Sequence, residues 1–185
     1  MVAGKDRLRR LFLAVPLGEE ARAILSQALP QLPGKVVPPE NWHLTTRFLG
    51  FLDQVTAERL SGDIDQADLG STFEVSLGEM GAFPRPLRAT VLWLGVDEGR
   101  SRLADLNMIC EEAAQAAGVP AEERAFTAHL TLSRIRPQQD IRAVIDAYRP
   151  MPLSWKADRV VLYESRLGRG GAVYTPLEEF PFDDR

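Results

Sequence analysis

The run N-W-H-L-T-T-R-F-L-G, Asn41 to Gly50, decides how this chain is read, because much of it returns as A-H-L-T-L-S-R at Ala128 to Arg134. The chain has two histidines, and each is followed by Leu-Thr: His43-Leu44-Thr45 and His129-Leu130-Thr131. With Leu common and Thr at ordinary frequency, the two coincidences together have a chance of roughly one in ten thousand. The second histidine follows the first by 86 residues in a chain of 185. Self-similarity at close to half the chain length predicts two related halves that face each other.

Both motifs read as strands, the first over about Trp42 to Leu49 and the second over Phe126 to Ile135. Alternate residues of a strand share a face. Strict alternation puts His43, Thr45 and Arg47 on one face, with Leu44, Thr46 and Phe48 on the other. It likewise groups His129, Thr131 and Ser133, and sends Arg134 to the opposite face. Leu44, Leu130 and Leu132 are then core residues.

Around these strands the pattern alternates between two periods. Apolar or alternating runs at Arg9–Val15, Phe73–Leu77, Ala89–Val96, Leu153–Lys156, Arg159–Glu164 and Ala172–Leu177 predict strands. Apolar stripes at helical spacing predict helices from about Glu19, over Val55–Ile64, over Ser101–Ala117, and around Ile141–Tyr148. Turns are predicted at Gly50–Asp53, at Gly81–Pro86 (G-A-F-P-R-P) and at Leu167–Gly171, where G-R-G-G lies between strands rather than before a helix. Hairpin-like neighbours favour antiparallel pairing over a doubly wound parallel sheet. The expected class is α+β. No linker of disordered composition interrupts residues 1–185, so the two lobes are expected to form one compact domain.

Composition narrows the classes of function. Hydrophobic residues make up 45% and charged residues 26%, as in an ordinary soluble globular protein. The single cysteine, Cys110, forms no internal disulfide, fits a reducing compartment, and sits on the apolar face of a predicted helix as packing. No apolar run is long enough to span a bilayer, and the first residues lack the apolar core of a signal peptide. A cytoplasmic protein without membrane contact is expected. A net charge of −4 argues against broad wrapping of a nucleic-acid backbone and leaves room for a site that handles one phosphate.

Two histidines from opposing lobes can work as a pair, one neutral and taking a proton, the other protonated and giving one. The threonine two residues on shares the histidine's face and can donate to an oxyanion. Two His-x-Thr strands thus supply an acid, a base and two donors around one tetrahedral anion, as phosphoryl transfer needs. Two histidines without a run of carboxylates or thiols make a poor zinc or iron site, so no metal and no cofactor are expected. Walker, nucleophile-elbow and dinucleotide-binding motifs are missing. Arginines 134, 136 and 142 are candidates either for phosphate binding or for a solvated face.

The chain resembles the two-histidine phosphoesterases, and within them the bacterial and archaeal RNA 2′,3′-cyclic phosphodiesterases, also called 2′-5′ RNA ligases. The likeness runs through R-L-F-L-A-V at Arg10–Val15, H-L-T-T-R-F-L-G at His43–Gly50 and G-A-F-P-R-P at Gly81–Pro86. It continues through V-L-W-L-G-V at Val91–Val96, F-T-A-H-L-T-L-S-R at Phe126–Arg134 and L-Y-E-S-R-L at Leu162–Leu167. The resemblance implies a bilobal, pseudo-twofold fold with a sheet and flanking helices in each lobe and both motifs lining the cleft. It implies metal-independent hydrolysis of an RNA or nucleotide 2′,3′-cyclic phosphate to a 2′-phosphate, with 2′-5′ ligation as the reverse reaction. On that model His43 protonates the leaving O3′, His129 activates water, and Thr45 and Thr131 hold phosphate oxygens. Arg134 matches an arginine frequent in the family. Phe83 is a candidate for stacking on the base, or a core aromatic, and Tyr174 is a weaker candidate of the same sort. RNA ends, tRNA fragments among them, are the implied partners, and a monomer is expected. Two departures stand out: Trp42 where a basic residue is frequent, and Ala128 where proline is usual. The competing reading is a non-catalytic module that binds nucleotides or RNA ends.

Overall fold

The computed structural model describes residues 7–169 and 171–183. In chain order the elements are β1 (Arg9–Pro16), α1 (Glu19–Ala28), β2 (Lys35–Val36), β3 (His43–Leu52) and α2 (Gln54–Gln66). Then come β4 (Phe73–Phe83), β5 (Ala89–Val96), α3 (Arg100–Ala116), β6 (His129–Gln139), α4 (Arg142–Ala147), β7 (Ser154–Ala157), β8 (Arg159–Gly168) and β9 (Gly171–Pro181). Local chemistry sets several boundaries. Asp53 caps α2 by accepting from the Thr56 N–H at 2.8 Å, and Pro30 follows the end of α1.

The spatial order of the strands is β7-β4-β5-β6-β3-β1-β8-β9, with β2 paired to β6 and every strand pairing antiparallel. The order is symmetric about its middle. β6, β5, β4 and β7 on one side correspond to β3, β1, β8 and β9 on the other. The two lobes meet at one ladder pair, Leu44↔Leu130. Both leucines are buried, at 1% and 0% exposure, so the residues on either side of each turn to the opposite face. Burying each leucine contributes about 1.5–3 kcal/mol and pins this junction. The α+β architecture with a pseudo-twofold between two sheet-based lobes is the one expected from the sequence.

Strict alternation along the two motif strands, by contrast, is corrected. Ala14 pairs with Thr45, yet the next partner of β1, Leu13, pairs with Arg47. In the other lobe Trp93 pairs with Thr131, while Leu92 pairs with Ser133. One residue on each motif strand, Thr46 and Leu132, is therefore extra, and each is the site of a β-bulge. A bulge reverses the parity of everything beyond it. Arg47 and Ser133 turn inward and are buried, at 5% and 0% exposure, while Phe48 and Arg134 come round to the histidine face.

Three smaller differences share a cause in strand pairing. β3 runs on through the predicted turn to Leu52, with Gly50 at positive φ. β4 continues through Gly81 to Phe83, because Gly81 faces Trp93 across the ladder and a methyl group there would stand 2.3 Å from the indole. β6 begins at His129 rather than Phe126 and extends to Gln139. The last turn is a hairpin closed by Gly168↔Gly171, and Gly170 of the predicted G-R-G-G lies outside the described residues. Among the described residues no helix is long and apolar enough to cross a membrane.

Candidate active site

The antiparallel pair Leu44↔Leu130 brings both motifs to one place. His43 and Thr131 lie on one side of that pair, Thr45 and His129 on the other, and all four side chains sit on the open face.

Each histidine is tethered the same way. Nδ1 of His43 lies 2.7 Å from the carbonyl of Asn41, and Nδ1 of His129 lies 2.7 Å from that of Thr127. A carbonyl only accepts, so Nδ1 carries the proton and donates it, and the neutral ring presents Nε2 with a free lone pair. His43 Nε2 lies 3.0 Å from Thr45 Oγ1, where the threonine hydroxyl donates to it. Asn41 is itself held, its amide donating to the Ala172 carbonyl of β9 at 2.7 Å.

Aromatic rings surround both imidazoles. His43 packs against Phe12 at 4.8 Å between centroids and meets Tyr174 edge-on at 5.3 Å. His129 meets Phe83 edge-on at 5.0 Å and lies 6.1 Å from Trp93. Burial among these rings disfavours a charged imidazole. It lowers the His43 pKa to about 4, against the opposing effect of the Asn41 carbonyl, and the charges of His129 and Arg134 push it further down. His129 is lowered too, by burial first and then by Arg134, with the Thr127 carbonyl opposing. Arg134 therefore stands within electrostatic reach of both histidines, as the bulge requires. Both rings are therefore neutral at pH 7, and an anion bound between them would raise both.

The sequence candidates divide accordingly. His43, His129, Thr45, Thr131 and Arg134 converge, Phe83 lies against His129, and Tyr174 against His43. Trp42 is buried, and its indole donates to the Val37 carbonyl at 3.1 Å, so the place of the frequent basic residue faces the core. Arg142 is held by Asp140 at 2.7 Å and behaves as part of a solvated pair. Cys110 is fully buried, donates to Thr46 Oγ1 at 3.4 Å, and has its pKa pushed up to about 11 by burial, so it stays an inert thiol. Sequence reasoning passed over the carbonyls of Asn41 and Thr127 and the rings of Phe12 and Trp93. Their only sequence signal is position: each carbonyl lies two residues before its histidine, and Phe12 and Trp93 lie within runs already read as strands.

Comparison with known proteins gives the same picture. The family model described as LigT like phosphoesterase matches twice, over residues 17–93 and 94–174. An RNA 2′,3′-cyclic phosphodiesterase of Thermus thermophilus is 34% identical over 181 residues, covering 92% of this chain and 89% of that protein. One of Aeropyrum pernix is 31% identical over 167 residues, covering 88% of this chain and 94% of that protein. The crystal structure of Escherichia coli LigT complexed with 3′-AMP superposes with a TM-score of 0.78 at 27% identity, covering 95% of this chain and 98% of that one. The double match falls on the two halves that share the His-x-Thr motif, and together with these relatives it makes the chain a member of the LigT-like phosphoesterase family.

Proposed function

We propose that this chain is an RNA 2′,3′-cyclic phosphodiesterase, which opens a 2′,3′-cyclic phosphate to a 2′-phosphate by acid–base catalysis between His43 and His129. The observation that carries the reading is the pair of His-x-Thr motifs meeting at Leu44↔Leu130, each with Nδ1 tied to a carbonyl and Nε2 presented on the open face. The relatives' activity supports it.

In this reading the cyclic phosphate sits between the two strands. Thr45 and Thr131 donate to its non-bridging oxygens, and Arg134 balances its charge. His129, neutral, takes a proton from water as the water oxygen bonds to phosphorus. The P–O3′ bond breaks on the opposite side, and protonated His43 gives its proton to O3′. One proton is taken and one given, so the pair ends with the roles exchanged and resets through solvent. With the 5′-hydroxyl of a second RNA in place of water, the same forward steps bond O5′ to phosphorus, release O3′ and make a 2′-5′ linkage. The bound anion raises the lowered His43 pKa, so the acid acquires its proton only when substrate is present. No step calls for a metal ion. Each lobe supplies one histidine and one threonine, so the two intertwined lobes work as one domain and a monomer holds a complete site. The substrates are RNA ends in the cytoplasm, tRNA fragments among them.

The test is turnover of an oligoribonucleotide ending in a 2′,3′-cyclic phosphate, in EDTA, beside His43→Ala and His129→Ala. The expected product is the 2′-phosphate, with each variant slower by at least about a hundredfold. Tight binding of the same RNA end by folded wild type without turnover would overturn the enzyme in favour of a binding module.

A further inference from the structure

β2 is only two residues long, yet it places a cation where the fold gains nothing from one. Lys35 is the ladder partner of Arg134, so the two side chains leave the sheet on the same face. Arg136 follows two residues along β6 on that face, exposed like Arg134, while Ile135 between them is fully buried. Like charges directly opposite on neighbouring strands are destabilising. Ion pairs elsewhere occupy Arg47, Arg100, Arg102, Arg124, Arg142, Arg159 and Arg166. Lys35, Arg134 and Arg136 have no carboxylate partner among the described residues, although the chain carries a net charge of −4.

The backbone is arranged to keep this row together. β2 can approach β6 because residue 34 is glycine: a methyl group there would stand 2.5 Å from the Arg134 carbonyl, and φ is +78°. The Lys35 ammonium then reaches the other lobe, where a methyl group on Gly171 would stand 3.2 Å from Nζ. Gly171 neighbours Ala172, whose carbonyl holds Asn41, the residue that tethers His43. The row therefore begins at the catalytic face and leads away from it along β6. Arg136 stands two residues, about 6.8 Å, beyond Arg134 along β6, comparable to the separation of the two phosphates on either side of one extended nucleotide, and Lys35, level with Arg134 on the neighbouring strand, borders both positions.

Resting on the activity proposed above, we infer that Lys35 and Arg136 form a second phosphate subsite. It takes the phosphodiester on the 5′ side of the terminal nucleotide while Arg134 serves the cyclic phosphate. The preferred substrate is then an oligoribonucleotide end rather than a free cyclic mononucleotide.

The test compares kcat/KM for a 2′,3′-cyclic mononucleotide and for a trinucleotide with the same cyclic end, over a range of salt, in wild type and in the Lys35→Gln, Arg136→Gln double variant. Both residues are exposed, so the fold is expected to survive, and an unchanged melting temperature checks that. The variant should lose about tenfold on the trinucleotide, carried by KM, and less than about twofold on the mononucleotide. Its salt dependence on the trinucleotide should be shallower by about 0.7 in logarithmic slope. Equal losses on both substrates, or none on the trinucleotide, would overturn the subsite. If folded wild type turns over neither substrate, the enzyme reading fails by itself. Anisotropy of a labelled trinucleotide 2′-phosphate then decides: weaker binding by the variant keeps the subsite, and equal binding removes it.

Discussion

At the bulge of β3 the carbonyl of Thr46 accepts from the Asn107 amide on α3 at 2.7 Å, whereas at the bulge of β6 the carbonyl of Leu132 accepts from the Val37 N–H at 2.8 Å. A bulge frees a backbone carbonyl that must find a donor once buried. The two lobes answer that demand with different parts, a helix side chain in one and the backbone just after the short strand β2 in the other. The α3 side also brings Cys110 to Thr46 and Glu111 to the buried Arg47, three residues of one helix face on one bulge. The β6 side buries Leu132 and one polar side chain, Ser133, whose hydroxyl has no hydrogen-bond partner among the described residues.

On the open face the contrast is sharper. The first residue to return to the histidine side is Phe48 on β3 and Arg134 on β6. A symmetric scaffold thus places two equivalent imidazoles and then breaks the symmetry with one cation within reach of both. Backbone repetition positions the two motifs, while the residue two past each bulge sets the charge beside them.

Breaking the better-supported bulge should have the largest effect. Arg47→Met leaves the Phe48 and Pro120 carbonyls without their donor and the partly buried Glu111 without its cation, and urea unfolding should show a loss of about 3–4 kcal/mol. A loss below about 1 kcal/mol would mean the ion pair does not hold the bulge. The next effect is pH-linked. Below pH 6.5 the unfolded chain protonates His43 while the folded chain does not until about pH 4, so the unfolded state binds more protons in between. Stability from this group is therefore complete above pH 6.5 and falls as pH drops towards 4, by up to about 3 kcal/mol. His43→Gln should flatten the pH dependence of the urea midpoint over that window, and a variant with an unchanged slope would rule the linkage out.

The open-face contrast comes next. Arg134→Met should cut kcat/KM by about tenfold to a hundredfold and raise both histidine pKa values, since its charge lowers each. The imidazole titrations can be followed by NMR. Rate loss without a change in either titration would put Arg134 away from the pair. Ser133→Ala should be smallest, within about 0.5 kcal/mol of neutral, because the hydroxyl removed makes no hydrogen bond. A large loss there would reveal a partner for it.

Much of the site was legible before any coordinates. The recurrence of His-Leu-Thr named all four central residues, and the apolar leucine between each pair showed which face is buried. The strand at Arg9–Val15 and the helix at Ser101–Ala117 were legible because their apolar periods are long and uninterrupted. The ends of β3, β4 and β6 were less so. A glycine or an X-Pro step reads as a turn locally, yet pairing with a neighbour carries β3 through Gly50 and β4 through Gly81.

What the sequence determined by itself is the inventory: two equivalent motifs, with a pair of imidazoles and a pair of hydroxyls. Alternation alone put Arg47 beside His43 and turned Arg134 away, and both placements were reversed. Only the tertiary structure decides this, because a bulge depends on the register between two strands far apart in the chain. Leu13 meets Arg47 and Leu92 meets Ser133 only after β1 and β5 have docked. The pairing of Lys35 with Arg134 has the same origin. It arises from close approach of backbones, which no periodicity in side chains records.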